Sequence, residues 1–378
     1  MSPTDSLDNQ SDTTSTYFAM PYPWQKKVWE SLTSRSQQLP HGLLFSGMSG
    51  IGKRVFVWRF TAWLLCSHRD KQTYHACGVC QSCQWLASGT HPDLMVLPQS
   101  SLILENQDID DISNKQKSAK NNSDTKEKSS ISDKIKVDDI RALQPFVSQG
   151  SRGQRVCVID YADTMTVAAA NALLKTLEEP KDGVYLLLIS DTPAQLLLTI
   201  KSRVQKVPID QISTNLVYDF LERQLALYHN NYQEKRLSVG QYDASQLLAV
   251  ADGAPLKAMV LLESAWYGMR KLWLTTWQAL RCGRRSSIAA SDYWQSQLSL
   301  VEFIELSELM IVDIQRVKLQ VEPKQRDIHF NQIADLMDSK FEDWVSLWHL
   351  IADIKLSVQQ NVQEKLAYDK LMQQIATI

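Results

Sequence analysis

Residues 47–54, Gly47-Met48-Ser49-Gly50-Ile51-Gly52-Lys53-Arg54, satisfy the phosphate-loop pattern G-x-x-x-x-G-K-[ST] at every position but the last. The glycines of such a loop let consecutive backbone N–H groups turn onto phosphate oxygens. The lysine reaches the β- and γ-phosphates, and the final hydroxyl holds Mg²⁺. Here the hydroxyl position is Arg54. The loop constrains the fold as well as the chemistry, because it needs a strand before it and a helix after it. His41-Gly42-Leu43-Leu44-Phe45-Ser46 has the apolar continuity of a buried parallel strand, and 53–66 carries Val57, Phe60, Leu64 and Leu65 at helical spacing.

The alternation extends along the chain. A helix is expected from Trp24 to near Pro40, and another opens at Lys136 with Asp138 or Asp139 as cap or first-turn acid. Residues 155–160 (RVCVID) read as a second buried strand ending in an acid, 165–179 as a helix halted by Pro180, and Val184 to Ser190 as a third strand. Leu196 to Ile200 is a further helical turn. Strands alternating with helices predict an α/β core over residues 17–208, its parallel sheet covered on both faces. From Ile209 onward only helical periodicities remain: a small helical domain over 209–262 and an all-α domain over 263–378. The latter holds most of the tryptophans, which at this spacing are core or subunit-contact residues.

At 378 residues the chain is too long for one ordinary core, and a formal charge of −2 argues against a protein that coats nucleic acid. No apolar run is long enough to span a membrane, and residues 1–16 are polar and acidic without a secretory h-region, so a disordered tail and a cytoplasmic protein are expected. Residues 99–134 hold six lysines, seven acidic residues and no aromatic residue. Such a stretch buries too little apolar surface to offset its ordering entropy, and a disordered insertion is expected there.

Three further features carry chemistry. Cys66, Cys77, Cys80 and Cys83 form a C-x₁₀-C-x₂-C-x₂-C cluster whose four thiolates describe a structural Zn²⁺ site, with His75 and His91 nearby as substitutes. Cys157 and Cys282 read as buried or inert thiols. Asp160 stands where a hydrolytic site places its Mg²⁺-binding acid, but its neighbour is Tyr161, a poor base for activating water near neutral pH. Arg54 and Tyr161 both count against ATP hydrolysis. Finally, Ser202-Arg203 follows the helical turn after the third strand, at the rim of the domain, where an arginine can reach a neighbouring subunit's γ-phosphate.

Together these residues resemble the clamp-loader subunits of bacterial DNA polymerase III. The resemblance spans roughly residues 20–210. It is carried by Ala168-Ala169-Ala170-Asn171-Ala172-Leu173-Leu174-Lys175-Thr176-Leu177-Glu178-Glu179-Pro180, the four-cysteine module, Gly89-Thr90-His91-Pro92-Asp93 and Ser202-Arg203. The Ala-Ala-Asn-Ala-Leu-Leu form and the altered loop favour the delta-prime family over the ATPase gamma/tau family. The resemblance implies an AAA+ core, a helical lid and a C-terminal collar that joins gamma/tau and delta subunits in a five-membered ring. That ring opens the sliding clamp and loads it on primed DNA. It further implies a stator without ATPase or polymerase activity of its own, which offers Arg203 as a finger to ATP on an adjacent subunit. Val204 replaces the cysteine usual after the Ser-Arg step, and no lid arginine matches around Gly253 to Lys257. Because Gly47, Gly50, Gly52 and Lys53 persist beside Arg54 and Asp160, residual binding of ATP or ADP stays open, as does an active motor subunit of the same family. A zinc-stabilised DNA-binding protein is a third reading.

Overall fold

The computed structural model describes residues 17–18, 20–35, 38–69, 75–99, 101, 135–148, 153–209, 212–233, 243–330, 339–358 and 363–378. The expected tail over 1–16 and all of the expected insertion beyond Ser101 up to Lys134 lie outside them. The chain divides into two compact units, Met1–Val217 and Tyr218–Ile378.

In the first unit five parallel strands stand in the order β2-β3-β4-β1-β5. They are β1 (Gly42–Ser46), β2 (Leu94–Leu97), β3 (Arg155–Ile159), β4 (Val184–Ser190) and β5 (Gln205–Pro208). Around them lie α1 (Lys26–Thr33), α2 (Lys53–Leu65), α3 (Gln81–Ala87), α4 (Val137–Ser148), α5 (Val167–Glu178) and α6 (Leu198–Lys201). Because side chains alternate across a strand, the three central strands bury both faces. Leu43, Phe45, Val156, Val158, Leu187 and Ile189 pack with Phe56, Phe60 and Trp63 of α2. Leu44, Cys157, Ile159, Leu186 and Leu188 pack on the other face with Ile140, Leu143, Leu173 and Leu177 of α4 and α5. This is the α/β core, with its parallel sheet covered on both faces, that the alternation of strands and helices predicts.

Two details differ from the sequence reading. The first helix does not reach Pro40: it stops at Thr33, after a 3₁₀ turn over Pro23–Gln25. The edge strands β2 and β5 carry no strong sequence signal, being four residues each and partly exposed.

Among the described residues the second unit has no strand and is mostly helical. It comprises the part of α7 (Thr214–Gln233) beyond Val217, α8 (Ala244–Val250), α9 (Pro255–Glu263), α10 (Arg270–Arg281), α11 (Ser287–Gln297), α12 (Leu300–Lys318), α13 (Phe341–Val358) and α14 (Glu364–Ile375). α12 begins with a capping box in which Ser299 and Glu302 each satisfy the other's backbone N–H. Cys282, expected to be buried or inert, is exposed.

The irregular stretch from Val321 to Phe330 is held by buried polar groups. Arg270 is 5% exposed. Its Nη1 and Nη2 donate to Asp327 at 3.0 and 2.8 Å, its Nε donates to Tyr267 O at 2.7 Å, and Nη1 also reaches Gln325 Oε1 at 3.2 Å. Asp313, fully buried, accepts from the backbone N–H of Lys324 and Gln325 at 2.8 and 2.9 Å. Gln246 of α8 also bonds Asp327, and Asp252 pairs with Lys324, so the stretch ties α8 to α10 and α12.

Removing one member of such a buried pair leaves an uncompensated charge. Asp327→Ala is expected to lower the unfolding free energy by about 2–4 kcal/mol, and Asp327→Asn by less, because it keeps an acceptor. Denaturant titration followed by tryptophan fluorescence reads the difference; equal losses would contradict this account of the pair.

Candidate functional site

Gly50 and Gly52 adopt φ of 83° and 82°, the left-handed region that a side chain disfavours, so the loop takes its turn at the expected glycines. Its Lys53 and Arg54, however, are engaged. Lys53 is nearly fully buried; its Nζ donates to Met48 O at 2.7 Å and pairs with Asp191. Burial presses Lys53 below its usual pKa, against the pull of Asp191. Arg54 Nε lies 3.0 and 2.9 Å from the two oxygens of Asp160, and its Nη2 lies 3.4 Å from Asp191 Oδ2. Its guanidinium also stacks on Tyr161, 4.3 Å from the ring centroid. Tyr161 itself has φ of 52°, and its backbone N–H donates to Asp160 Oδ1 at 2.8 Å.

Asp160 and Asp191 follow neighbouring strands, β3 and β4, and Arg54 lies between them. Asp160 is 2% exposed, and burial holds its carboxyl above the ordinary range even with Arg54 against it. Arg54 is itself raised: burial works against its charge, but Asp160 and Asp191 outweigh it. Mg²⁺ needs oxygen ligands in this position. The position offers instead a permanent cation that already uses both oxygens of Asp160, so the residues present do not fit a magnesium–nucleotide complex.

The loop is also braced from the N-terminal side. Trp24 Nε1 and Gln25 Nε2 donate to Ile51 O at 3.1 Å each, and Gln25 Nε2 to Gly52 O at 3.0 Å. A Cβ on Gly52 would lie 2.8 Å from the Tyr22 ring, and the Arg59 guanidinium lies 5.1 Å from the centroid of the same ring. Sequence reasoning missed Asp191, Tyr22, Trp24, Gln25 and Ser101. The signal for Asp191 was the one used for Asp160, an acid closing a buried apolar strand. Ser101, at the start of the expected insertion, is buried and its Oγ donates to Asp160 Oδ2 at 3.4 Å.

The four clustered cysteines meet as expected. Sulfur–sulfur separations are 3.6 Å (Cys66–Cys77), 3.9 Å (Cys66–Cys80), 4.0 Å (Cys77–Cys83) and 3.5 Å (Cys80–Cys83). Four thiolates around one ion at about 2.3 Å would stand about 3.8 Å apart in a tetrahedron. The set therefore fits a single metal ion. Backbone N–H groups of Cys77 and Cys80 donate to Cys66 Sγ and Cys77 Sγ at 3.3 and 3.4 Å. Burial opposes a charge on Cys80, yet hydrogen bonds led by the backbone of Cys83 and Ser67 bring its thiol down to about 5.

His75 and His91 have other roles. His75 stacks on Trp29 at 5.3 Å. Ser82 Oγ donates to Leu65 O at 2.7 Å, so it accepts from His91 Nε2–H at 2.7 Å, while His91 Nδ1 accepts from Asp93 N–H at 3.1 Å. That pattern suits the neutral ring, and burial lowers the pKa of His91 accordingly. Ser82 thus ties α3 to the end of α2, and His91 joins that serine to the turn before β2.

Ser202 and Arg203 lie just past α6, away from the loop, with Arg203 exposed and paired to Glu178 at 2.6 Å. A cavity of about 180 Å³ opens near the beginnings of β1 and β4, lined by His41, Lys175 and Lys181 among others, at the other end of the strands from Lys53.

Residues 24–213 match the family described as "DNA polymerase III, delta subunit". The chain belongs to that family. Within it, the chain is 36% identical over 244 residues to the delta-prime subunit of Pseudomonas aeruginosa, covering 64% of this chain and 61% of that protein. It is 27% identical over 353 residues to the delta-prime subunit of Haemophilus influenzae, covering 91% and 90%. Among solved structures, a DNA polymerase III gamma subunit-related protein of Thermotoga maritima aligns over 91% of this chain and 97% of that one, at 16% identity and a TM-score of 0.39. No single helix among the described residues is long and apolar enough to cross a membrane.

The ion-pair network yields a test of its own. Arg54→Ala leaves two carboxylates without their shared cation and is expected to cost about 2–4 kcal/mol at neutral pH. Asp160 is raised in the folded chain, so folded protein binds its proton before unfolded chain does as pH falls. The deficit of Arg54→Ala relative to the parent should therefore shrink toward acidic pH, and Asp160→Asn in the same variant should recover much of it. A pH-independent deficit in thermal melts would rule this out.

Proposed function

We propose that this chain is a non-hydrolysing, stator-type subunit of a cytoplasmic DNA polymerase III clamp loader. It helps to load the sliding clamp on primed DNA and lends Arg203 to ATP bound on an adjacent subunit. The observation that carries the reading is Arg54: its guanidinium spans Asp160 and Asp191 where a motor subunit needs Mg²⁺ and a hydroxyl. Tyr161 adds to it by stacking on that guanidinium instead of acting as a base. On this reading the loop at Gly47, Gly50, Gly52 and Lys53 is an inherited site that no longer carries out hydrolysis. Residues 17–208 form the AAA+ core, 209–262 the lid and 263–378 the collar that meets gamma/tau and delta subunits. The four cysteines hold Zn²⁺, whose preference for four thiolates in a closed tetrahedron matches their arrangement, and the ion fastens α3 to the end of α2. The alternative, an active motor subunit, has the loop glycines, Lys53 and the placement of Asp160 in its favour.

In the reconstituted assembly Arg203→Ala is expected to fold and assemble normally and to lower clamp- and DNA-stimulated ATP hydrolysis by about 10³-fold or more at the site it serves. Lys53→Ala should leave that rate unchanged; magnesium-dependent hydrolysis by the isolated chain, lost in Lys53→Ala, would establish the motor reading instead.

Cys80→Ser is expected to reduce bound zinc, measured by elemental analysis, and to lower the melting temperature. A variant that keeps one zinc per chain would refute the assigned ligand set.

A further inference from the structure

Arg203 is fixed at its backbone and tethered at its tip. A Cβ on Gly42, the first residue of β1, would lie 3.5 Å from Arg203 O and 3.2 Å from Val204 Cγ1. Val204 is buried in the core, and Arg203 N–H donates to Ile200 O at 3.0 Å. The main chain at this point is therefore referenced to strand β1, and only the side chain can swing. The guanidinium is engaged on its own domain. Its Nη2 pairs with Glu178 Oε1 at 2.6 Å, and Nη1 donates to Thr199 O at 3.0 Å and Ser202 Oγ at 3.3 Å. A guanidinium has five N–H donors, and these contacts use three.

We infer that Glu178 is a positioning residue for Arg203, parking the guanidinium against its own domain until a polyphosphate on a neighbouring subunit competes for it. The inference rests on the reading of Arg203 as acting in trans. Glu178 is the last residue of α5, where the helix dipole disfavours an acid, so it does not serve that helix as a cap. Its partner across the gap is Arg203. The two side chains are 48% and 35% exposed, and a pair so placed biases an equilibrium by only about 1.5- to 5-fold. A triphosphate brings several charges and geometry suited to the arginine fork, so it outcompetes a single carboxylate. The two unused donors give the incoming phosphate a first hold before Glu178 lets go, so the guanidinium passes from one anion to another without being left unpaired.

ATP hydrolysis by the reconstituted assembly, with clamp and primed DNA present, tests this with the parent, Arg203→Ala, Glu178→Gln and Glu178→Asp. Glu178→Gln is expected to lower the ATP concentration giving half-maximal rate by about 1.5- to 5-fold, with kcat unchanged. Glu178→Asp should fall between Glu178→Gln and the parent. In an Arg203→Ala background Glu178→Gln should have no effect, whereas a merely structural role would alter both backgrounds alike. If Arg203→Ala slows hydrolysis while Glu178→Gln behaves as the parent, the parking role is overturned and the finger stands. If Arg203→Ala leaves hydrolysis unchanged, the trans reading falls and the parking role falls with it.

Discussion

The guanidinium of Arg54 reconciles two carboxylates that parallel strands bring to one edge of the sheet. Asp160 and Asp191 end β3 and β4, which are neighbours, and the phosphate loop leaves β1 alongside. Two acids brought so close, one of them almost wholly buried, need a cation. In a nucleotide-binding relative of this architecture a divalent ion can come and go. Here the compensating charge is covalently part of α2 and permanently ionised, so the strand ends, the loop and the first turn of that helix form one closed electrostatic unit. The N-terminal turn completes the closure by bonding the carbonyls of Ile51 and Gly52. The loop is thus held by contacts within the chain.

That closure explains how much of the site was legible in the sequence. Pattern and spacing located the loop, its altered last position, Asp160 and the four cysteines, because each is a local signature with one dominant chemical meaning. The central strands were equally legible, since continuous apolar runs such as VYLLLIS have few other uses. What escaped depended on contacts distant in sequence. Asp191 is 137 residues from Arg54, and nothing near it in the chain announces the pairing. Tyr22 and Gln25 gain their meaning only by lying against Gly52. The edge strands β2 and β5 escaped because their outer residues are not buried on two faces, and the stop of α1 at Thr33 has neither glycine nor proline to mark it.

The same core separates two kinds of residue. Groups that hold the chain together, such as Lys53 and Asp160, are buried and satisfied by internal partners, and the half-buried His91 is likewise bonded on both ring nitrogens. Arg203 and Glu178, by contrast, stand partly in solvent, the first just past α6 with its backbone against β1 and the second at the end of α5. A rigid base with an adjustable tip is the arrangement expected of a residue that acts on something outside its own domain.

The stretch from Val321 to Phe330 bears on how the protein is made. Gln246 and Asp252 find their partners 81 and 72 residues later, at Asp327 and Lys324. Closing loops of that size is entropically costly, and those contacts stay out of reach until the downstream residues have left the ribosome. The first unit, by contrast, has its last strand in hand at Pro208. A nascent chain thus passes through a long interval in which the sheet is complete while the bonds from Gln246 to Asp327 and from Asp252 to Lys324 have yet to form.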